Sequence, residues 1–144
     1  MDAAFESLWQ CYQSACFLLT QSFSSTIPFA IVTAHNPLGQ KLTSSQNRLL
    51  DRQLQGDIDK LGIPYRAIIG AAEDLSHMEK SWALFLDKTA AIELALKYHQ
   101  NALYYVNNGI LTLVPCLRGE CEVELGLFKN RARLVNELPE LSDG

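Results

Sequence analysis

The sequence predicts a mixed α/β (α+β) fold on three observations. Two apolar stripes of helical period each stand behind a capping residue, at Thr43 and at Asp87. Short runs rich in β-branched and aromatic residues alternate with those stripes. Gly, Pro and Asn mark the joints between them. With 144 residues, 48% apolar and 19% charged, folding should remove roughly 68–70% of the surface that the unfolded chain exposes, enough for a core without disulfides or metal. One domain over residues 1–144 is expected: an N-terminal helix at 1–21, a core at 28–115 and a C-terminal extension at 116–144.

Phe5, Leu8, Trp9, Tyr12, Cys16 and Leu19 recur at spacings of three and four, which predicts a first helix over about 3–21. Phe29 to Ala34 is a short apolar run that reads as a buried strand, stopped by His35-Asn36-Pro37-Leu38-Gly39, where Pro lacks a backbone donor. Thr43-x-x-Gln46 has capping-box form, and Leu50, Leu54, Ile58 and Leu61 then make the stripe of a second helix ended by Gly62. Ile63 to Gly70 reads as the next strand. Ser81 to Leu86 follows as a third, with Trp82, Leu84 and Leu86 on one face and Ala83 and Phe85 on the other. Asp87 caps a helix with the stripe Ala91, Leu94, Ala95, Tyr98, and Leu103 to Val106 is the strand after it. Asn107-Asn108-Gly109 signals a hairpin into Ile110 to Leu117, because Asn and Gly accept the positive φ of a primed turn. Arg118-Gly119 suggests another hairpin, into Glu122 to Phe128. The remainder, to Ser142-Asp143-Gly144, reads as a short helix and a frayed end.

The order is a helix, then strand–helix–strand twice, then extra strands. It suggests a two-layer sandwich of ferredoxin-like type, a split βαβ repeat with an added N-terminal helix and C-terminal hairpin. The alternative is a three-layer α/β arrangement with the first helix on the opposite face.

Twelve Lys and Arg stand against sixteen Asp and Glu, a net charge of −4, which disfavours a surface built for nucleic acid or anionic lipid. The acidic N-terminus does not resemble a secretory signal, and no apolar run approaches the ~18 residues that span a membrane. A cytoplasmic address is expected. The cysteines form two C-x4-C pairs, Cys11/Cys16 and Cys116/Cys121. Positions five apart on a helix diverge by about 140°, so no metal site is expected; Cys116 and Cys121 would face each other across a tight hairpin as reduced thiols. Ser76 and Ser81 lack a nucleophile elbow, and Gly70-Ala71-Ala72 lacks the glycines and the Lys-Ser/Thr pair of a phosphate loop. No cofactor is expected.

Thr33-Ala34-His35-Asn36-Pro37, Asn47, Glu79-Lys80-Ser81 and His99-Gln100-Asn101-Ala102 together resemble, in order and spacing, a bacterial family described as a domain of unknown function, number 3293. The resemblance implies no activity, so a role must come from site chemistry. Most of the polar residues in those motifs fall at predicted element ends, where ligands bind in α/β sheets. His35, Asn36, Asn47, Glu79, Ser81 and Gln100 are therefore the candidate ligand-binding residues of a polar pocket, with Glu79 accepting hydrogen bonds. The plain alternative makes them turn and helix-end residues. Three roles follow: a binding or regulatory module for a small ligand or protein partner; an enzyme using Glu79 with His35 or His77 for acid–base chemistry; and a nucleic-acid accessory using Tyr104, Tyr105, Arg66, Arg131 and Arg133. The first is favoured, and the last is disfavoured by the acidic balance.

Overall fold

A computed structural model of the chain describes residues 3–24 and 26–141. Helix α1 runs Ala3–Gln13, α2 Ser44–Leu61 and α3 Lys88–Lys97. The strands are β1 Cys16–Leu19, β2 Phe29–Thr33, β3 Tyr65–Ala71, β4 Met78–Leu84, β5 Ala102–Asn107, β6 Ile110–Pro115, β7 Val123–Leu127 and β8 Ala132–Leu134. They form one sheet in the order β7-β6-β5-β2-β4-β3-β1-β8, antiparallel except where β1 meets β8. The mixed α+β class is as the sequence predicts.

Local chemistry accounts for α2 and α3. Thr43 Oγ1 accepts from the Gln46 backbone N–H at 3.2 Å while Gln46 Oε1 accepts from the Thr43 N–H at 2.9 Å, so α2 starts with two orphan donors satisfied. Gly62 ends it at φ 67°. Asp87 caps α3 by accepting from the Ala90 N–H at 2.8 Å. Leu54, Ile58, Ala91, Leu94, Ala95 and Tyr98 pack with Ala30, Val32, Trp82 and Leu84 in one cluster, which puts both helices on one face of the sheet. Leu61, counted in the α2 stripe, is half exposed instead.

The other face does not lie flat. Leu127 and Ala132, at opposite edges of the sheet, are five residues apart in the chain, a span of at most roughly 18 Å. Seven strand spacings in a flat sheet would part them by about 34 Å. The sheet must curl to bring its edges together. The Phe17 and Tyr104 rings confirm it: β2, β4 and β3 lie between their strands, yet the centroids are 5.0 Å apart. Phe17, Phe29, Ile31, Ala83, Val106 and Phe128 form a second core inside the curl, and Phe5 and Trp9 of α1 pack with Leu113 and Tyr104 beside it. The sheet is wider and more curled than the expected ferredoxin-like two-layer sandwich: α2 and α3 cover one face, and β1, β6, β7, β8 and α1 turn the opposite face into an enclosure.

Several boundaries differ from those the sequence predicts. The first helix stops at Gln13, where Ser14 turns back with both N–H and Oγ on the Cys11 carbonyl. Cys16–Leu19 is buried at all four positions, paired with β3 on one side and β8 on the other; a strand buried on both faces shows no alternation, so its apolar spacing matches a helical stripe equally well. The last segment holds a short 3-10 helix, Phe128–Asn130, and then a strand, β8, that the sequence does not predict. The connection after β6 runs over 116–122, so the tight Arg118-Gly119 turn is not formed. By contrast, Asn107 pairs with Ile110 across Asn108-Gly109 at φ 52° and 77°, the expected primed hairpin. The frayed end expected at 142–144 lies outside the described residues. Among the described residues no helix is long and apolar enough to cross a membrane.

Candidate functional site

Cross-strand partners point to the same face of a sheet, and the register therefore builds the site. Phe17 pairs with Gly70, Gly70 with Glu79, Ile68 and Thr33 with Ser81, and Ile31 with both Ala83 and Tyr104. These side chains share the concave face. Between them and α1 lies a cavity of about 480 Å³. Gly70 contributes by what it lacks, since a Cβ there would stand 3.7 Å from Ser81 Oγ and 3.9 Å from Phe17.

Five of the six candidate residues line this cavity: His35, Asn36, Glu79, Ser81 and Gln100. Asn47 stands behind them on α2 and faces a neighbouring groove. The cavity is not the polar pocket expected. Leu8, Phe17, Ile31, Ala71 and Leu103 make much of its wall, and the polar groups gather along one side. Glu79 and Lys80 lie within β4, which begins at Met78 because the β3–β4 hairpin is longer than the apolar run alone indicates.

Asn36 organises the bend after β2. Its φ of 50° is left-handed, a region that Asn tolerates better than most residues. The Asn36 N–H donates to Asn47 Oδ1 at 2.9 Å, and Asn36 Oδ1 accepts from Asn47 Nδ2 and from the Leu42 N–H, both at 3.0 Å. Asn36 Nδ2 donates to Glu79 Oε2 at 2.8 Å. The same carboxylate oxygen lies 2.9 Å from His77 Nε2; that bond raises the pKa of the half-exposed His77 above the ordinary histidine range. Gln100 Nε2 donates to the carbonyls of His35 at 3.1 Å and Tyr98 at 3.2 Å, and Ser81 Oγ donates to the Glu79 carbonyl at 3.2 Å. The next residues also serve packing. Gly39 has φ 76°, and a Cβ there would come within 2.4 Å of Leu8 Cδ2, so α1 seats on a position that only glycine leaves open.

His35 is different. It is 7% exposed, and its backbone N–H bonds Thr33 Oγ1 at 3.0 Å. Neither ring nitrogen finds a hydrogen-bond partner among the described residues. Burial lowers its pKa, opposed in part by the Glu79 and Asp51 charges, so a neutral imidazole lines the cavity.

Tyr12, Leu8 and Cys11 of α1, Phe17, Gly70 and Tyr104 complete the walls, and none of them was among the candidates. Strand alternation could have placed Phe17, Ile31 and Tyr104 on one face each, but not on one enclosure. Tyr104 serves the scaffold: its hydroxyl donates to the Tyr12 carbonyl at 2.6 Å. Arg131 donates to the carbonyls of Gln13 at 2.8 Å and Ala15 at 3.0 Å, and Arg133 to that of Glu73 at 3.0 Å. Of the aromatic and basic residues considered for nucleic acid, Tyr104, Arg131 and Arg133 thus brace the scaffold.

No curated protein and no solved structure matches the chain. Residues 32–103, half of the chain, match the family described as a protein of unknown function (DUF3293). The span contains all six candidate residues, together with the end of β2 and the whole of α2, β3, β4 and α3. On that match, the chain belongs to the DUF3293 family.

Proposed function

We propose that this protein is a binding module that takes a small ligand into the cavity at the strand ends, its apolar body inside the curl and its hydrogen-bonding end against His35 and Glu79. The observation that carries this reading is the His35 ring. The ring borders the cavity, while around it the Asn36, Asn47, Gln100 and Ser81 side chains are all engaged within the protein. A ligand donor or acceptor in the cavity would pair with the ring. The volume of about 480 Å³ lies within the range of small-molecule sites, which pair an apolar lining with a few placed polar groups. The scaffold in this reading is the ferredoxin-like set β5-β2-β4-β3 with α2 and α3, and the whole chain acts as one domain, because α1 and β1 supply the remaining walls.

The test is titration with N-phenylnaphthylamine, a neutral apolar fluorophore that brightens on leaving water. Wild type should bind it saturably at one site. Gly70→Val, which places a branched side chain beside Ser81 and Phe17, should abolish binding while keeping the wild-type circular dichroism spectrum. Absence of saturable binding to wild type, or equal binding to the folded variant, would refute the reading.

A further inference from the structure

Beyond the His35–Asn36 bend lies a second space, a groove of about 880 Å³. Its walls come from the first half of α2, the β3–β4 connection and residues 138–141. Arg48 and Arg52 both line it, four apart on α2 and so on one helix face. Lys41 lines it from the loop before α2 and Lys80 from β4.

The charges there are out of balance. Asp51 sits among them, but its carboxylate accepts from Trp82 Nε1 at 2.8 Å and from Lys80 Nζ at 3.2 Å. Arg48 bonds only Ser45 Oγ, at 3.2 Å. Glu140 lines the groove and forms no ion pair. Among the described residues, Lys41, Arg48 and Arg52 have no acidic partner. A chain of net charge −4 therefore presents three cations against the one carboxylate of Glu140 around one concave surface, where low-dielectric walls focus the field on an anion.

Groove and cavity adjoin. His35, Asn36, Lys41, Ser76 and His77 line both. An apolar enclosure thus opens beside a cationic groove, and the two arginines carry planar donor forks that suit the paired oxygens of phosphate or carboxylate.

We infer that the ligand is an anionic amphiphile, with its apolar body in the cavity and a phosphate or carboxylate head in the groove among Lys41, Arg48 and Arg52. This rests on the ligand-binding reading above and adds the chemical class. The head group's charge favours the groove, and the hydrophobic effect favours placing the body behind it.

Calorimetric titration of the full chain tests it with decyl phosphate, decanoate, decanol and inorganic phosphate, the amphiphiles kept below their micelle-forming concentrations. Wild type should bind both anionic amphiphiles at least about tenfold more tightly than decanol, one charge-assisted contact's worth, and inorganic phosphate far more weakly. The double variant Arg48→Gln/Arg52→Gln, altered only at exposed positions, should bind decanol unchanged and lose the preference for the anions. Equal binding of decanol and decyl phosphate to wild type, or a preference that survives in the double variant, overturns the inference and leaves the cavity reading standing. Inorganic phosphate binding as tightly as decyl phosphate overturns it by making the groove an independent anion site. Failure of both decanol and decyl phosphate to bind would sink the cavity reading as well.

Discussion

Replacing Asn36 separates two contributions to the bend that carries His35. Its side chain accepts from Asn47 Nδ2 and from the Leu42 N–H and donates to Glu79 Oε2. Asn36→Gly removes all three bonds. Glu79 Oε2 keeps His77, but Nδ2 of the buried Asn47 loses its acceptor at a cost of about 1–3 kcal/mol, and the half-buried Leu42 N–H loses about 0.5–1.5 kcal/mol more. The total is about 1.5–4.5 kcal/mol, readable against a typical stability of about 5–15 kcal/mol. Asn36→Ala loses the same bonds and must also hold a Cβ at φ 50°, for about 1–2 kcal/mol. Gly gives back about 0.4–1 kcal/mol through its freer unfolded chain. Ala should therefore be the worse substitution by about 0.5–1 kcal/mol. Urea titrations followed by the fluorescence of the buried Trp9 and Trp82 measure both. Losses under about 0.5 kcal/mol in both variants, or a glycine variant less stable than the alanine one, would refute the reasoning.

Two further outcomes follow from packing and from protonation. Leu54, fully buried between α2 and the sheet, should lose about 2–5 kcal/mol on change to Ala, whereas Leu61→Ala, in the same sequence stripe but 50% exposed, should stay within about 0.5 kcal/mol; equal effects in denaturant titrations would contradict the burial. For the histidines, burial keeps the pKa of His35 below the ordinary value of about 6.5, so as pH falls through that value the unfolded chain takes up a proton that the folded ring refuses, and stability drops. His77, raised by Glu79, acts oppositely: its stabilisation is present below about pH 6.5 and is lost as pH rises through its folded value. His77→Gln should steepen the loss on acidification and His35→Phe should flatten it. Imidazole resonances in which His35 titrates at or above His77 would overturn the assignment.

Legibility in the sequence followed the range of the forces involved. The capping box of α2, its glycine stop, the Asp87 cap of α3 and the Asn108-Gly109 turn rest on bonds between residues close in sequence, and each could be read from the letters. The polar residues at the element ends were visible too, because only a turn or a site explains Asn36, Asn47 and Gln100 beside apolar strands. The stretch from Ser14 to Leu19 misled for a physical reason: a strand buried on both faces and a helix buried on one share the spacing of Cys16 and Leu19, and only β3 and β8, more than fifty residues away, decide between them.

The sequence alone thus determined the class of the fold, two of its three helices, the β5–β6 hairpin and most of the polar groups that border the cavity. The tertiary structure decided that the sheet curls, since the short link between β7 and β8 acts only once eight strands stand in order. It also decided that an apolar cavity lies behind His35, and that the cations of α2 line a groove beside it. Local bonds are written in neighbouring residues. An enclosure is made by faces that meet only when the chain has folded, so no segment of the sequence carries it by itself.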